Sequence, residues 1–383
     1  MKSLYLFIGC LIALSWQSLS AQMHINPDTA VVTQHQTTIK GVAMSYHATT
    51  GNQPVWDEQG NPIAAVNYTY YERDGIKDRS TRPLVISFNG GPGTASVWMQ
   101  IAYTGPVLLN LDDEGNPVQP YGLGNNPYSI LDVADIVYVH PVNTGYSRIL
   151  NENVDRKQFF GVNEDVTYLA KWITTFVTRV NRWTSPKYLI GESYGTTRVS
   201  GLAQELQSRH QLFLNGVVLV SPTELGIRRD GPVDEALTLP YMAATAWYHK
   251  VLPNDLQQKD LLEILPEVEQ FTIDTYIPAL AWGGHLSAEK RQAIARQLAH
   301  YTGVKAEKFL EYGLKISPQI FWKELLRDKG YTIGRLDSRY RGIDLLDGGD
   351  RPEYNSELIS WEHSFTPAIN WYMRNELNYK TDL

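Results

Sequence analysis

A serine between glycines is the part of this sequence best suited to chemistry. The segment GESYG, residues 191–195, follows the apolar run 187–190 and precedes a helical pattern. In the G-x-S-x-G pattern the glycines let a strand turn sharply into a helix, which lifts the serine hydroxyl above the sheet. A tight strand-to-helix turn without chemistry is the alternative. The position of the segment between a strand and a helix favours the first interpretation, which makes Ser193 a nucleophile.

A second glycine-rich segment lies about a hundred residues earlier. NGGPG, residues 89–93, follows the short apolar run 84–88. A tetrahedral oxyanion needs two preorganised donors. One is the backbone N–H after the nucleophile, here that of Tyr194, and the other comes from a loop after an earlier strand. Residues without side chains let this loop approach a substrate, so we expect residues 89–93 to supply the second donor. A Gly-Pro surface turn is the alternative.

A serine nucleophile needs a base, and the sequence offers no convincing one. With this type of turn the chain order is serine, acid, histidine, so the base is sought after Ser193. His363, shortly before the last predicted helix, is the best placed, but no apolar strand leads into it, which favours a solvated or capping role. The other histidines after the serine are His210, which ends a helix near the turn, and His249, His285 and His300, which lie in a helical region. The acids Asp344, Asp347 and Asp350 lie in a glycine-rich turn and are interpreted as loop carboxylates.

Composition and charge exclude several classes of function. The 383 residues carry a formal charge of −7, and no block of Lys and Arg is present. Nucleic acid is therefore not expected as a partner, because phosphate binding needs clustered cations. The sequence contains no metal-binding motif and no glycine-rich nucleotide fingerprint, so no metal or other cofactor is predicted. At 43% apolar residues, the chain can fill a sizeable core.

The N-terminus has the pattern of a secretory signal. Residues 1–21 combine Lys2, an apolar stretch over 4–16 and small residues around Ala21. The apolar stretch is too short to span a bilayer as a helix. We therefore expect a secreted or periplasmic bacterial protein with no membrane attachment after cleavage. Cys10 is the only cysteine; lipid attachment there is the alternative, disfavoured because the apolar run continues past it.

The order of the elements predicts an α/β fold. Residues 30–80 alternate apolar and polar positions, which is typical of antiparallel strands joined by hairpins. Short apolar runs then alternate with helical patterns at 163–180 and 197–209, as in a mostly parallel sheet covered by helices on both faces. We expect a core over 22–225, a helical insertion over 226–345 and an incomplete return to the core over 346–383. A last helix is predicted from Thr366 as N-cap, with Pro367 at its first position.

Together the two glycine-rich segments resemble those of the serine carboxypeptidase family, which has the α/β-hydrolase fold. NTGYSR at 143–148 strengthens the resemblance, and GRLDSRY at 334–340 resembles the bacterial branch of the family. The family removes single residues from peptide C-termini. The resemblance implies Ser193 as nucleophile, with a peptide as substrate. It also assigns the oxyanion hole to Gly91 and Tyr194, and the binding of the terminal carboxylate to Asn89, Gly90 and Glu192.

Two departures from the family pattern change what the resemblance implies. Glu192 can donate to a carboxylate only when protonated, and in the family a second Glu, two residues before a Gly-Pro, raises its pKa. Tyr103 stands at that position here, before Gly105 and Pro106. An acidic pH optimum and strict carboxypeptidase specificity are therefore not implied.

The second departure concerns the end of the chain. In the family, the triad Asp and a Gly-His motif lie on the last strands, and the segment 340–383 resembles family sequence before those strands. We therefore expect the last strands and the triad partners to be missing, with little activity in the 383-residue chain. An esterase or acyltransferase on the same scaffold and a non-catalytic peptide-binding protein are the alternatives. A homodimer formed through the insertion is a further possibility.

Overall fold

The structure is a computed structural model, and it describes residues 25–113, 115–223 and 231–383. The predicted signal peptide and Cys10 lie outside the described residues, as do the first residues of the predicted insertion. No described helix is both long enough and apolar enough to cross a membrane.

An antiparallel ribbon forms one side of the main sheet. Its three long strands are joined by short turns, and β1 pairs with β2 in unbroken register from Thr29 opposite Asn52 to Ile39 opposite Val42. These strands are β1 (Thr29–Ile39), β2 (Val42–Trp56) and β3 (Pro62–Arg73). Burial alternates with exposure along β1, which is the pattern of a strand with one solvated face.

The other side of the sheet is parallel and carries the glycine-rich segments. The strand order is β1-β2-β3-β7-β4-β9-β10, in which β7, β4, β9 and β10 run parallel. The elements of this half are β4 (Leu84–Phe88), the short β5 (Val107–Leu109) and β6 (Leu123–Asn125), β7 (Asp135–Val139), β8 (Arg148–Ile149), α1 (Val162–Arg179), β9 (Lys187–Glu192), α2 (Tyr194–Arg209) and β10 (Gly216–Val220). The sheet with its flanking helices confirms the predicted α/β class.

The two faces of the sheet are covered differently. On one face, α1 and α2 contribute Trp172, Phe176 and Leu202 to a buried cluster with Ile86 and Leu189 of the sheet. The opposite face packs against the π-helical turn Met99–Tyr103 and the C-terminal residues.

The outermost parallel strand, β10, is covered less than the inner strands. Val217, Val218 and Leu219 of β10 are all exposed. Every residue of the inner strands β4 and β7 is buried. An edge strand receives only part of the helix layers, and β10 pairs with β9 alone among the described strands.

A helical unit with its own core follows the sheet. Its buried side chains, from Ala236 to Ile333, form a separate apolar cluster. Its elements are α3 (Pro232–Ala236), α4 (Leu239–Tyr248), α5 (Asn254–Gln257), α6 (Leu261–Phe271), α7 (Ile277–Trp282), α8 (Ala288–Thr302), α9 (Ala306–Glu311), α10 (Pro318–Glu324) and the strand pair β11 (Thr332–Ile333) and β12 (Arg341–Gly342). α5 and α6 are separate helices, because Asp260 caps α6 by accepting from the Leu262 N–H.

The last helix begins eleven residues earlier than predicted. It is α11 (Ser356–Trp371), with Pro367 inside it, and a π-helical turn Tyr372–Glu376 continues it. The helix start predicted from Thr366 and Pro367 is therefore wrong. Packing outweighs the missing N–H of the proline, since Phe365 packs on Trp98 before the proline and Tyr372 bonds the Tyr71 hydroxyl after it, at 3.1 Å.

Candidate active site

The turn that carries Ser193 has the geometry that its pattern predicts. Strand β9 ends at Glu192 and α2 begins at Tyr194, and the serine between them has φ 56° and ψ −125°. A positive φ is uncommon for a residue with a side chain, and such strain concentrates at functional sites. A Cβ on Gly191 would lie 2.1 Å from the Gly195 carbonyl oxygen. Gly191 is therefore needed for the turn to close.

The loop 89–93 lies directly against this turn. Phe88 of β4 pairs with Gly191 of β9, so the carboxyl ends of the two parallel strands meet. A Cβ on Gly90 would lie 2.4 Å from the backbone nitrogen of Tyr194. Tyr194 begins α2, where the first N–H groups have no acceptor within the helix. The structure thus brings the backbones of both predicted oxyanion donors, Gly91 and Tyr194, to the serine.

These residues form one end of a cavity of about 620 Å³. Asn89, Gly90, Gly91, Glu192 and Ser193 all line it. The opposite wall is one face of α11, on which lining residues recur every three or four positions, as helical spacing requires. They are Leu358, Glu362, Phe365, Ile369 and, in the π-helical turn, Met373. The cavity is therefore bounded in part by α11, whose position in the same cavity as Ser193 was not predicted.

The amide of Asn89 is engaged on both sides. Its Nδ2 donates to Glu192 Oε2 at 3.0 Å, and its Oδ1 accepts from the Met99 N–H at 3.0 Å. Tyr103, at the position where the family resemblance expects a second acid, is 53% exposed and does not line the cavity. The acid that the family resemblance expects beside Glu192 is therefore not supplied at position 103.

No described residue serves as the base for Ser193. The serine Oγ makes no hydrogen bond to any residue in the described ranges, and none of the five histidines considered lines the cavity. His249 Nε2 contacts the Ser338 carbonyl oxygen at 2.7 Å, and His300 pairs with Asp255 at 3.0 Å. His363 is exposed on α11, in agreement with its interpretation as a solvated side chain.

The cavity does contain one histidine, which the sequence analysis missed. His140 follows β7, is 3% exposed and lines the same cavity as Ser193. Its Nδ1 accepts from the Ser96 N–H at 3.2 Å, so the neutral ring carries its proton on Nε2, which has no partner among the described residues. Such a ring cannot take the serine proton. The chain order serine, acid, histidine points only to residues after Ser193, although a polar residue at the end of a buried strand is a visible signal.

We expect the fold to be sensitive to acid because His140 is buried. Burial lowers its pKa to about 4, below the unfolded value of about 6.5. The unfolded chain therefore binds the proton first, and stability present above pH 6.5 is lost as the pH falls towards 4. Between pH 7 and pH 4 we expect the free energy of unfolding of His140→Asn to fall by about 3 kcal/mol less than that of the wild type, as measured by urea denaturation. Stability profiles that run parallel for the two proteins over this range would contradict the prediction.

A buried ion pair behind the loop holds it in place. Arg198 of α2 donates through Nε to Asp165 of α1 at 2.7 Å and through Nη1 to the Asn89 carbonyl oxygen at 2.8 Å. Burial raises the pKa of Asp165, and Arg198 opposes that shift. The guanidinium also lies over the ring of Tyr194, 5.1 Å from its centroid. Arg198 therefore links the oxyanion loop and the residue after the nucleophile to both helices.

Comparison with known proteins agrees with this geometry. The sequence profile of the serine carboxypeptidase family matches residues 59–275. Among curated proteins, serine carboxypeptidase-like 36 of Arabidopsis thaliana is 31% identical over 160 residues, which cover 40% of this chain and 31% of that protein. Serine carboxypeptidase-like 13 of the same plant is 29% identical, covering 41% and 36%. The matched segment thus spans about a third of the length of these relatives.

Solved structures with similar folds are more distant. A prohormone-processing carboxypeptidase from Saccharomyces cerevisiae aligns with a TM-score of 0.41 and 20% identity, over 68% of this chain and 53% of that one. The peroxisomal alpha-beta-hydrolase of the same yeast aligns with a TM-score of 0.27 and 14% identity, over 54% and 46%.

Proposed function

Since the chain belongs to the serine carboxypeptidase family, whose profile matches more than half of its 383 residues, we propose that it is a serine-type carboxypeptidase. The observation that carries the proposal is the position of Ser193. It lies on a strained strand-to-helix turn, against the loop 89–93, in the wall of a cavity large enough for the end of a peptide.

The proposed reaction passes through an acyl-enzyme. The Ser193 Oγ attacks the carbonyl carbon of the last peptide bond, and the N–H groups of Gly91 and Tyr194 stabilise the oxyanion. The C–N bond then breaks, and the released amino acid takes the proton that the serine has given up. Water hydrolyses the ester in a second step and restores the serine. The cavity walls hold the peptide while both steps occur.

A base must carry the serine proton, and we propose that it comes from outside the described residues. The family resemblance places the acid and the histidine on strands that follow the segment resembling 340–383. The motif at 334–340 also supports membership of the bacterial branch. Reading the native gene beyond the codon for Leu383 tests this proposal: a continuing frame with an Asp and a Gly-His motif supports it, and a stop codon contradicts it.

A second candidate function is peptide binding without cleavage. It is favoured by one observation, the lack of any hydrogen bond between the Ser193 Oγ and a described residue. In this case the cavity and the Asn89–Glu192 pair would hold a peptide end that is never cut.

A substrate panel distinguishes these functions. N-acylated dipeptides, their C-terminal amides and matching esters are compared, with imidazole added as an external base and Ser193→Ala as the control. A carboxypeptidase releases the terminal amino acid from the free-acid dipeptides in preference to the amides. Hydrolysis of the esters alone would instead support an esterase, and binding without release in any condition would support the second candidate.

Location and partners follow from the same proposal. We propose a secreted or periplasmic protein that acts on soluble peptides, supported by the signal pattern of residues 1–21. We also propose a homodimer through the helical unit, supported by exposed apolar side chains of that unit such as Leu262 and Trp282.

A further inference from the structure

One cation lines the cavity without a partner. Arg335 follows β11 and borders the same cavity as Ser193. Its guanidinium makes no ion pair and no hydrogen bond to any residue in the described parts of the chain, whereas nearby arginines are engaged. Arg339 pairs with Asp337 at 2.6 Å, and Arg341 lies 5.1 Å from the centroid of the Tyr331 ring. Arg335 is therefore a charge left available to a ligand.

The turn that carries Arg335 is held by a buried carboxylate. Glu357, in the first turn of α11, is fully buried, and its Oε1 accepts from the Leu336 N–H at 2.6 Å. A Cβ on Gly334 would lie 2.6 Å from the other carboxylate oxygen. The residues on both sides of Arg335 are thus packed on one buried carboxylate. Its backbone is held in place before a ligand arrives, which lowers the entropic cost of binding.

The other charges of the cavity are negative. Glu192 and Glu362 line it, and neither forms an ion pair with Arg335, since no contact within 4.0 Å joins them. Much of the remaining wall is apolar, including Trp98, Leu358 and Phe365. Apolar walls strengthen electrostatic interactions. An anionic group entering the cavity is therefore repelled by both carboxylates and attracted by one cationic side chain, that of Arg335.

We propose that Arg335 binds a carboxylate of the peptide substrate. The guanidinium presents paired donors that match a carboxylate in a bidentate arrangement. The carboxylate is either the C-terminus of the peptide or an acidic side chain near it. Arg335 would then supply the anion recognition that the absent acidic pair does not. This inference rests on the proposed function only in taking a peptide as the ligand of the cavity.

The test is a calorimetric titration of the full chain with three N-acylated dipeptides. The first has apolar side chains and a free terminal carboxylate, the second is its C-terminal amide, and the third is an amide with one acidic side chain. We expect the wild type to bind the first or the third about tenfold more tightly than the second. Arg335→Gln should remove that preference and leave binding of the neutral amide unchanged.

Two further variants separate charge recognition from structural damage. Arg335→Lys keeps the charge and should retain part of the preference. Arg351→Gln makes the same charge change at an exposed site outside the cavity and should leave all three affinities unchanged. If Arg335→Gln weakens binding of the free-acid dipeptide, Arg335 binds the chain terminus. If it weakens binding of the acidic amide, Arg335 binds the acidic side chain.

The proposal is overturned if the wild type binds no dipeptide or shows no preference for a carboxylate, or if the preference survives in Arg335→Gln. These outcomes are independent of cleavage. Covalent labelling of Ser193 with no effect of Arg335→Gln would reject this inference alone. A charge-dependent affinity with an unreactive serine would instead reject the carboxypeptidase proposal.

Discussion

Purified as the 383-residue chain, the protein is expected to hydrolyse peptides at a trace rate. Loss of the base from a serine–histidine pair costs about a millionfold in turnover, because no group then takes the proton from the attacking hydroxyl. The Ser193 Oγ has no hydrogen-bond partner in the described residues, and His140 carries its proton on the nitrogen that could otherwise accept one. What activity remains would come from the oxyanion donors and substrate binding.

The measurement is the release of a terminal amino acid from an N-acylated dipeptide, with Ser193→Ala as the control. The variant removes the nucleophile without adding volume. We expect the two proteins to differ little without an added base and to diverge when imidazole is present. A normal peptidase turnover in the wild type, abolished in Ser193→Ala, would contradict the prediction and require a base that the described contacts do not show.

Removing one buried carboxylate is expected to cost the fold about 3–5 kcal/mol. Asp135, at the start of β7, accepts from Arg82 Nε at 2.7 Å and from Arg182 Nη1 at 2.6 Å. All three side chains are almost completely buried. In Asp135→Asn two guanidinium groups remain buried against a neutral amide, and an uncompensated buried charge is far more costly than a lost surface contact.

A matched exposed pair provides the control for this prediction. Asp28 binds Arg179 through two contacts of 2.8 Å, but both side chains are substantially exposed. Asp28→Asn should therefore cost about 0–1 kcal/mol. The free energy of unfolding of both variants and the wild type is measured by urea denaturation at pH 7. Equal losses in the two variants would show that the buried cluster does not stabilise the sheet as described.

Local sequence signals predicted the nucleophile turn and the strands that position it. Gly90, Gly91, Gly191 and Gly195 are required by contacts within a few residues or with a neighbouring strand end, so their patterns can be recognised without the fold. The alternation of short apolar runs with helical patterns identified the parallel half of the sheet for the same reason. These features depend on short-range geometry that the residue types largely determine.

Features that depend on distant contacts were missed. The predicted start of α11 was wrong because Thr366 and Pro367 are a strong local start signal. The actual helix is stabilised by packing on residues far away in sequence. His140 reaches the cavity only because β7 lies beside β4 in the sheet. Arg335 reaches it through a turn held by Glu357. None of these placements can be derived from residue spacing alone.

Covalent labelling of the 383-residue chain tests the central proposal, that Ser193 is the nucleophile, most directly. The protein is incubated with a phosphonyl fluoride, with and without imidazole, and the adduct is located by peptide mass spectrometry beside Ser193→Ala. We expect one adduct, on Ser193, that forms faster as the imidazole concentration is raised and is absent from the variant. The absence of an adduct even with imidazole, or an adduct that appears equally in Ser193→Ala, would contradict the proposal that Ser193 is the nucleophile.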